Sequence, residues 1–223
     1  STLGNTFKVS EADSVLLGDY AGEYSAGQWV PDPNCEINGG VLAGPFCKFL
    51  YGTRFNIVND EDHKKFYLSF KKDNDNLSYK LTAIVANIDV NDNPQSPSYP
   101  ALSFMSKKIM PGQGGSPFNV PVTWYGRPLG SAFPSPLSPK DIDQYHVSGV
   151  VNLSLNENID LELSITQSKH ENFHNRPDTI NSRMENAISG NGGSNGKQTW
   201  NIFDPLSNSE DLIQYIKGSE QSL

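Results

Sequence analysis

His170-Glu171-Asn172-Phe173-His174 is the run whose residue types and spacing match a catalytic pattern, H-E-x-x-H. On a helix, residues four apart share a face, so two imidazoles could hold one zinc ion while Glu171 polarises a bound water as general base. A third ligand would come from Glu185, on a helix expected downstream, or from His146 or His63 brought over by folding. The surroundings favour a polar loop over Gln167 to Asn175 instead. Lys169, Asn172, Asn175 and Arg176 leave no apolar stripe with which a helix could dock, and Pro177 cuts it to about two turns. A zinc-dependent, metallopeptidase-like hydrolase is therefore the alternative reading, with His170 and His174 as ligands and Glu171 as base.

Asp89-Val90-Asn91-Asp92-Asn93-Pro94 is a second chemical cluster, placed where an extended run ends. Its carboxylate and amide oxygens are hard donors of the kind calcium takes, and calcium is the cofactor they would recruit. An ordinary Asx-rich turn is the simpler reading. A third group is Trp124, Tyr125 and Arg127 in the turn-rich run from Pro121, together with Trp29. Large rings in loops can stack on sugar faces, although Trp is as often a core residue. Adjacent rings on a strand point to opposite faces, so at most one of Trp124 and Tyr125 meets solvent.

Three short resemblances accompany these runs. The histidine run resembles the zinc metallopeptidases called zincins, which implies zinc on His170 and His174 with Glu171 as base. The longer form of that motif is not continued, because Pro177 stands where a glycine belongs. Asp89 to Asn93 resembles the D-x-N-D-N linker of cadherins, implying calcium at Asp89, Asn91, Asp92 and Asn93, but the companion acidic segments of cadherins are missing. Gly27-Gln28-Trp29 resembles the G-x-W signature of lipocalins and covers three residues. No resemblance spans enough of the chain to set a family.

The elements that must position these groups are strands. Val147, Gly149, Val151, Leu153 and Leu155 alternate with Ser148, Val150, Asn152 and Ser154. After Asn156-Glu157-Asn158 the alternation resumes as Ile159, Leu161, Leu163 and Ile165. This is the period of two half-buried antiparallel strands joined by a tight turn. Phe66 to Phe70 and Tyr79 to Ile88 form a second such pair around Asp73-Asn74-Asp75-Asn76, and the run from Leu81 to Ile88, apolar on both faces, suggests a central strand covered on both sides. A further hairpin is expected from Phe46 to Val58 around Gly52-Thr53, with short extended pieces at Ala101 to Met105, Val120 to Tyr125 and Gln198 to Phe203. The prolines around the second and third last of these confine them to edges or loops.

The fold class that follows is all-β: an antiparallel two-sheet sandwich, jelly-roll-like, or a distorted barrel, with long Gly/Pro/Asn-rich loops. Residues 1–223 read as a single domain, with a loose N-terminal arm over 1–12. Short peripheral helices are expected near 178–189, capped by Asp178, and at the C-terminal segment 209–217, capped by Ser209.

The chain has 22 Asn, 25 Ser, 19 Gly and 15 Pro in 223 residues, so turns and exposed loops take much of it. A net charge of −8, with lysines in pairs rather than patches, excludes an electrostatic grip on nucleic acid. No apolar run reaches the roughly 20 residues of a membrane helix, so no membrane span is expected. Cys35 and Cys47, in a Gly/Pro-rich run, suit one disulfide in an oxidising compartment, which makes a secreted, extracellular or periplasmic address the expectation. The preferred function is a secreted or surface-exposed binding protein. Its partner would be a glycan or cell-surface protein met through Trp124, Tyr125, Arg127 and Trp29, with calcium assisting. A structural component of a surface assembly is a third reading, and it predicts an apolar edge or patch rather than a pocket.

Overall fold

The computed structural model describes residues 4–50, 52, 54–92, 94 and 106–222. The chain is all-β, with several antiparallel sheets, two short helices and no closed barrel among the described residues. No described helix is long and apolar enough to cross a membrane. The chain forms two compact units. A core unit comprises Ser1–Phe55, Pro94–Leu137 and Arg176–Glu220, and a sheet unit comprises Asn56–Asn93, Ser138–Asn175 and Gln221–Leu223.

The core unit is built on an antiparallel sheet of β1 (Thr6–Val9), β4 (Trp29–Pro31), β9 (Lys107–Ile109) and β10 (Val122–Tyr125), in the order β4-β1-β10-β9. Small hairpins flank it in sequence: β2 (Asp13–Val15) with β3 (Gly22–Tyr24), and β5 (Gly40–Ala43) with β6 (Phe46–Phe49). One face of the sheet places Phe7, Val9, Val30, Ile109, Val122 and Trp124 in the core. Against them pack Trp200, Ile202 and Phe203 and two helices, α1 (Asn181–Ile188) and α2 (Glu210–Ile216). Phe7 and Phe203 stack with centroids 4.2 Å apart.

Several expectations are corrected here. The segment read as a loose arm contains β1, whose Thr6, Phe7 and Val9 are fully buried, because four alternating residues suffice when strands pair on both sides. β10 likewise is interior, since Pro121 precedes the ladder instead of interrupting it. The hairpin expected around Gly52-Thr53 forms one turn earlier, between β5 and β6. Thr53 lies outside the described residues, as does the piece from Ala101 to Met105. Within Gln198 to Phe203 the side chains of Trp200, Ile202 and Phe203 are buried, but the segment forms no strand and pairs through an isolated bridge from Gln198 to Gly192.

Cys35 and Cys47 are joined, with Cα atoms 5.7 Å apart. A Cβ on Gly40 would stand 2.8 Å from the Cys35 sulfur and 2.9 Å from the Cys47 sulfur, so the bridge crosses the β5–β6 hairpin where only glycine fits. The helix caps divide. Ser209 accepts from the Leu212 amide at the start of α2 as expected, whereas Asp178 lies within a strand and α1 starts after Ile180 without a side-chain cap.

The sheet unit contains four long strands: β7 (Asp60–Asp73), β8 (Leu77–Asp92), β11 (Lys140–Asn156) and β12 (Ile159–Thr179). Their order is β12-β11-β8-β7, with β13 (Lys217–Ser222) next to β12. Both hairpins foreseen from the alternation are present, turning at residues 74–76 and 157–158, and β8 and β11 join them along an antiparallel seam.

Candidate functional site

Cross-strand register fixes which side chains of the sheet unit share a face, because residues directly opposite point the same way. Three rows set the pattern: Phe70, Leu81, Gly149 and Ile165; Leu68, Ala83, Val147 and Gln167; Phe66, Val85, Tyr145 and Lys169. Towards the turns the same face continues through Tyr79, Val151 and Leu163, then Leu77, Leu153 and Leu161. The alternate rows are mixed: Ser69, Thr82, Ser148 and Thr166 are all polar, whereas Lys71, Lys80, Val150 and Ser164, and Tyr67, Ile84, His146 and Ser168, set apolar side chains among polar ones.

The sheet is thus amphipathic across all four strands, and its apolar face is uncovered. Phe66 is 59% exposed, Leu163 61% and Ile165 77%, with Leu68, Phe70, Leu81, Val85, Val147 and Leu161 also exposed. Soluble surfaces rarely leave so many contiguous large apolar residues in water. The expectation that β8 is covered on both faces is overturned: it is central in strand order but open to solvent. Charge bounds the face at the end away from the turns, in the row Lys64, Asn87, Asp143 and Glu171 and the row Asp62, Asp89, Asp141 and Phe173.

The histidine run is not a helix, and it is not the expected loop. Residues 167–175 continue β12, because β11 from Lys140 to Val147 pairs with them residue for residue. Four residues along a strand separate His170 from His174 by about 13 Å, and Glu171 points to the opposite face. The two imidazoles do not converge. His170 Nδ1 lies 2.6 Å from Gln144 Nε2, His174 Nε2 lies 2.7 Å from Ser138 Oγ, and Glu171 pairs with Lys169 at 2.6 Å. His146 meets Ser168 at 2.8 Å, His63 meets Glu61 at 2.9 Å, and Glu185 pairs with Lys107 at 2.7 Å.

The proposed calcium donors lie along the end of β8 rather than in a turn. Asp89 pairs with Asp62 and Asp141, Asn91 lies where the β7–β8 register shifts, Asp92 ends the strand, and Asn93 lies outside the described residues. Lys64 reaches both Asp62, at 2.9 Å, and Asp89, at 3.7 Å. Among the described residues no three His, Cys, Asp or Glu side chains are grouped to hold a metal ion.

The aromatic group divides by strand parity. Trp124 is 1% exposed in the core, its indole N–H donating to Asn5 Oδ1 at 3.1 Å, and Arg127 is 7% exposed with its guanidinium 5.3 Å from the Phe49 ring. Neither is free to touch a ligand. Trp29 and Tyr125 occupy the other face of the same sheet, half-buried, with ring centroids 4.9 Å apart. Phe46 packs 5.2 Å from Trp29, and Lys8 Nζ sits 5.4 Å from its centroid. The sequence contained the apolar alternation that makes the open sheet face; what it lacked was any sign that the sheet unit is a single layer among the described residues. No family profile, curated protein or solved structure matches this chain.

Proposed function

We propose that this protein is a secreted binding and assembly component whose working surface is the apolar face of the β7-β8-β11-β12 sheet. The carrying observation is that face: four long paired strands that expose Phe66, Leu81, Leu163 and Ile165 on one side and mixed, more polar rows on the other. A sheet of this kind is half of a two-layer structure, since its apolar side gains stability only when a second layer removes it from water. The disulfide supports an oxidising compartment.

Hydroxyl-radical footprinting of the protein as isolated, without detergent, tests this reading. Phe66, Leu81 and Leu163 should be protected relative to Tyr67, Ile84 and Val150 on the opposite face. Equal labelling of both faces would refute it.

A second reading rests on the Trp29–Tyr125 pair. Two half-buried rings beside a lysine offer an apolar shelf and a hydrogen-bond donor, the combination that suits a sugar ring on a cell-surface glycan. Glycan-array binding lost in Trp29→Ala but kept in a variant of the sheet face supports it, and no array signal from the wild-type chain removes it.

A further inference from the structure

The open face has a shape and a charge pattern that select an occupant. Four strands about 4.8 Å apart and about ten residues at 3.3 Å each give a plane of roughly 600 Å². Two such planes face to face amount to about 1,200 Å², the lower bound of a stable specific interface, before side-chain relief is added. The centre is apolar and the margins carry Lys64, Lys72, Lys169 and Glu171, which is the core-and-rim arrangement of a protein contact. A lipid-facing strand needs about nine to eleven residues of apolar alternation. On β7 the apolar side offers only Phe66, Leu68 and Phe70 before Lys64 and Lys72 intervene.

The face also complements itself. A two-fold axis parallel to the strands, between β8 and β11, would set each β8 over the partner's β11 and each β7 over the partner's β12, row for row. In the middle row, Leu81 then meets the partner's Gly149, a bulky side chain over a position that has none. In the next row Ala83 meets the partner's Val147, and towards the margin Lys64 meets the partner's Glu171. Large faces small twice and Lys64 faces a carboxylate, while the like-charge pairing of Asp89 with the partner's Asp141 falls in the outermost row, where water screens it. Such sheets pack about 10 Å apart with strands aligned within about 30°. Open edges argue less strongly for edge-to-edge rings, because β7 places lysine pairs at 64–65 and 71–72, the residues that blunt sheet edges.

We propose that a second copy of this chain covers the face, so that two sheets form one sandwich about a two-fold axis parallel to their strands. This rests on the assembly reading above and names its partner.

Sedimentation velocity of the full chain over a concentration series should show a monomer–dimer equilibrium. Leu81→Glu should shift it to monomer by at least tenfold in concentration, while Thr82→Glu, on the polar face, should leave it unchanged. Far-ultraviolet circular dichroism of both variants controls for folding. Register is read separately by mixing Leu81→Cys chains with Gly149→Cys chains and adding a short bis-maleimide. Cross-linked dimer should exceed that from either variant alone.

A monomer at every concentration, with the apolar face still protected by a different protein, would overturn the dimer and leave the assembly reading standing. Liposome capture abolished by Leu81→Glu would overturn the dimer in favour of a lipid-facing sheet. Dimers or larger rings that survive Leu81→Glu but are lost on Tyr67→Pro would overturn it in favour of edge pairing. A folded monomer with both faces equally labelled would remove both the dimer and the assembly reading.

Discussion

Thr6 and Cys47 exchange two hydrogen bonds. The Thr6 hydroxyl accepts from the Cys47 amide at 3.0 Å and donates to the Cys47 carbonyl at 3.2 Å, and Thr6 is fully buried. One side chain on β1 thereby holds the disulfide-bearing strand β6. Thr6→Val keeps the volume but takes the Thr6 acceptor from the Cys47 amide, while the Cys47 carbonyl keeps the Gly4 amide at 2.9 Å, and leaving a buried polar group unpaired costs about 1–3 kcal/mol. Denaturant unfolding should show a loss of at least about 1 kcal/mol, and an unchanged midpoint would disprove the role.

The Cys35–Cys47 bridge closes a separation of 12 residues. Loop-closure entropy assigns such a loop roughly 2–3 kcal/mol. Cys35→Ser with Cys47→Ser should lower stability by about that amount. Titration of two reactive thiols in unreduced, denatured wild-type protein would show that the bridge does not form.

Trp124 and Trp29 should separate cleanly on substitution. Trp124 fills the core and donates to Asn5, so Trp124→Ala should cost about 3–5 kcal/mol. Trp29 is half-exposed on the other face, so Trp29→Ala should cost clearly less. Melting curves of the two variants check this, and equal losses would count against the assignment of Trp29 to a surface shelf.

The contrast shows what could be read from the residues. Alternation in Val147 to Thr166 and in Phe66 to Ile88 announced both hairpins and their faces, and the rule that neighbouring rings point apart assigned one of Trp124 and Tyr125 to the core. Tertiary pairing supplied the rest. Gln167 to Asn175 is polar on both faces, so no periodicity marks it as strand; only the β11 partner, Lys140 to Val147, holds it extended. The candidate surface was legible as strands but not as a site, because patterning tells which side is apolar and not whether the chain has a layer to cover it.

Burial holds the Asp32 carboxyl above its ordinary 3.8, against amide donation from Asn34 and Asn38, with Asp204 and Asp19 adding to the rise. A folded value above the unfolded one means that the native chain binds more protons between them, so stability is lost as pH rises through that window. Relative to Asp32→Asn, which does not titrate, the wild type should gain stability as pH falls from neutral towards 3.8. Urea unfolding of both at several pH values checks the sign. A pH-independent difference would contradict it.

His170 and His174, on one strand about 13 Å apart, should not share a zinc ion. Zinc titration by calorimetry should give no site abolished equally by His170→Ala and His174→Ala, and Glu171→Gln should leave any zinc uptake unchanged. One stoichiometric site lost in both histidine variants would restore the metal reading.

The seam between β8 and β11 carries a consequence in time. Each hairpin closes on a short turn, at residues 74–76 and 157–158, but the chain between them, Pro94–Leu137, belongs to the core unit. Local hairpins form within about 1–10 μs, whereas a pairing of such sequence separation waits on a costly loop closure. During that interval the nascent chain carries two separate two-stranded ribbons, each marginal in water and each with an unzipped inner edge. Those open inner edges are templates for pairing between chains, so aggregation competes with folding until the seam closes.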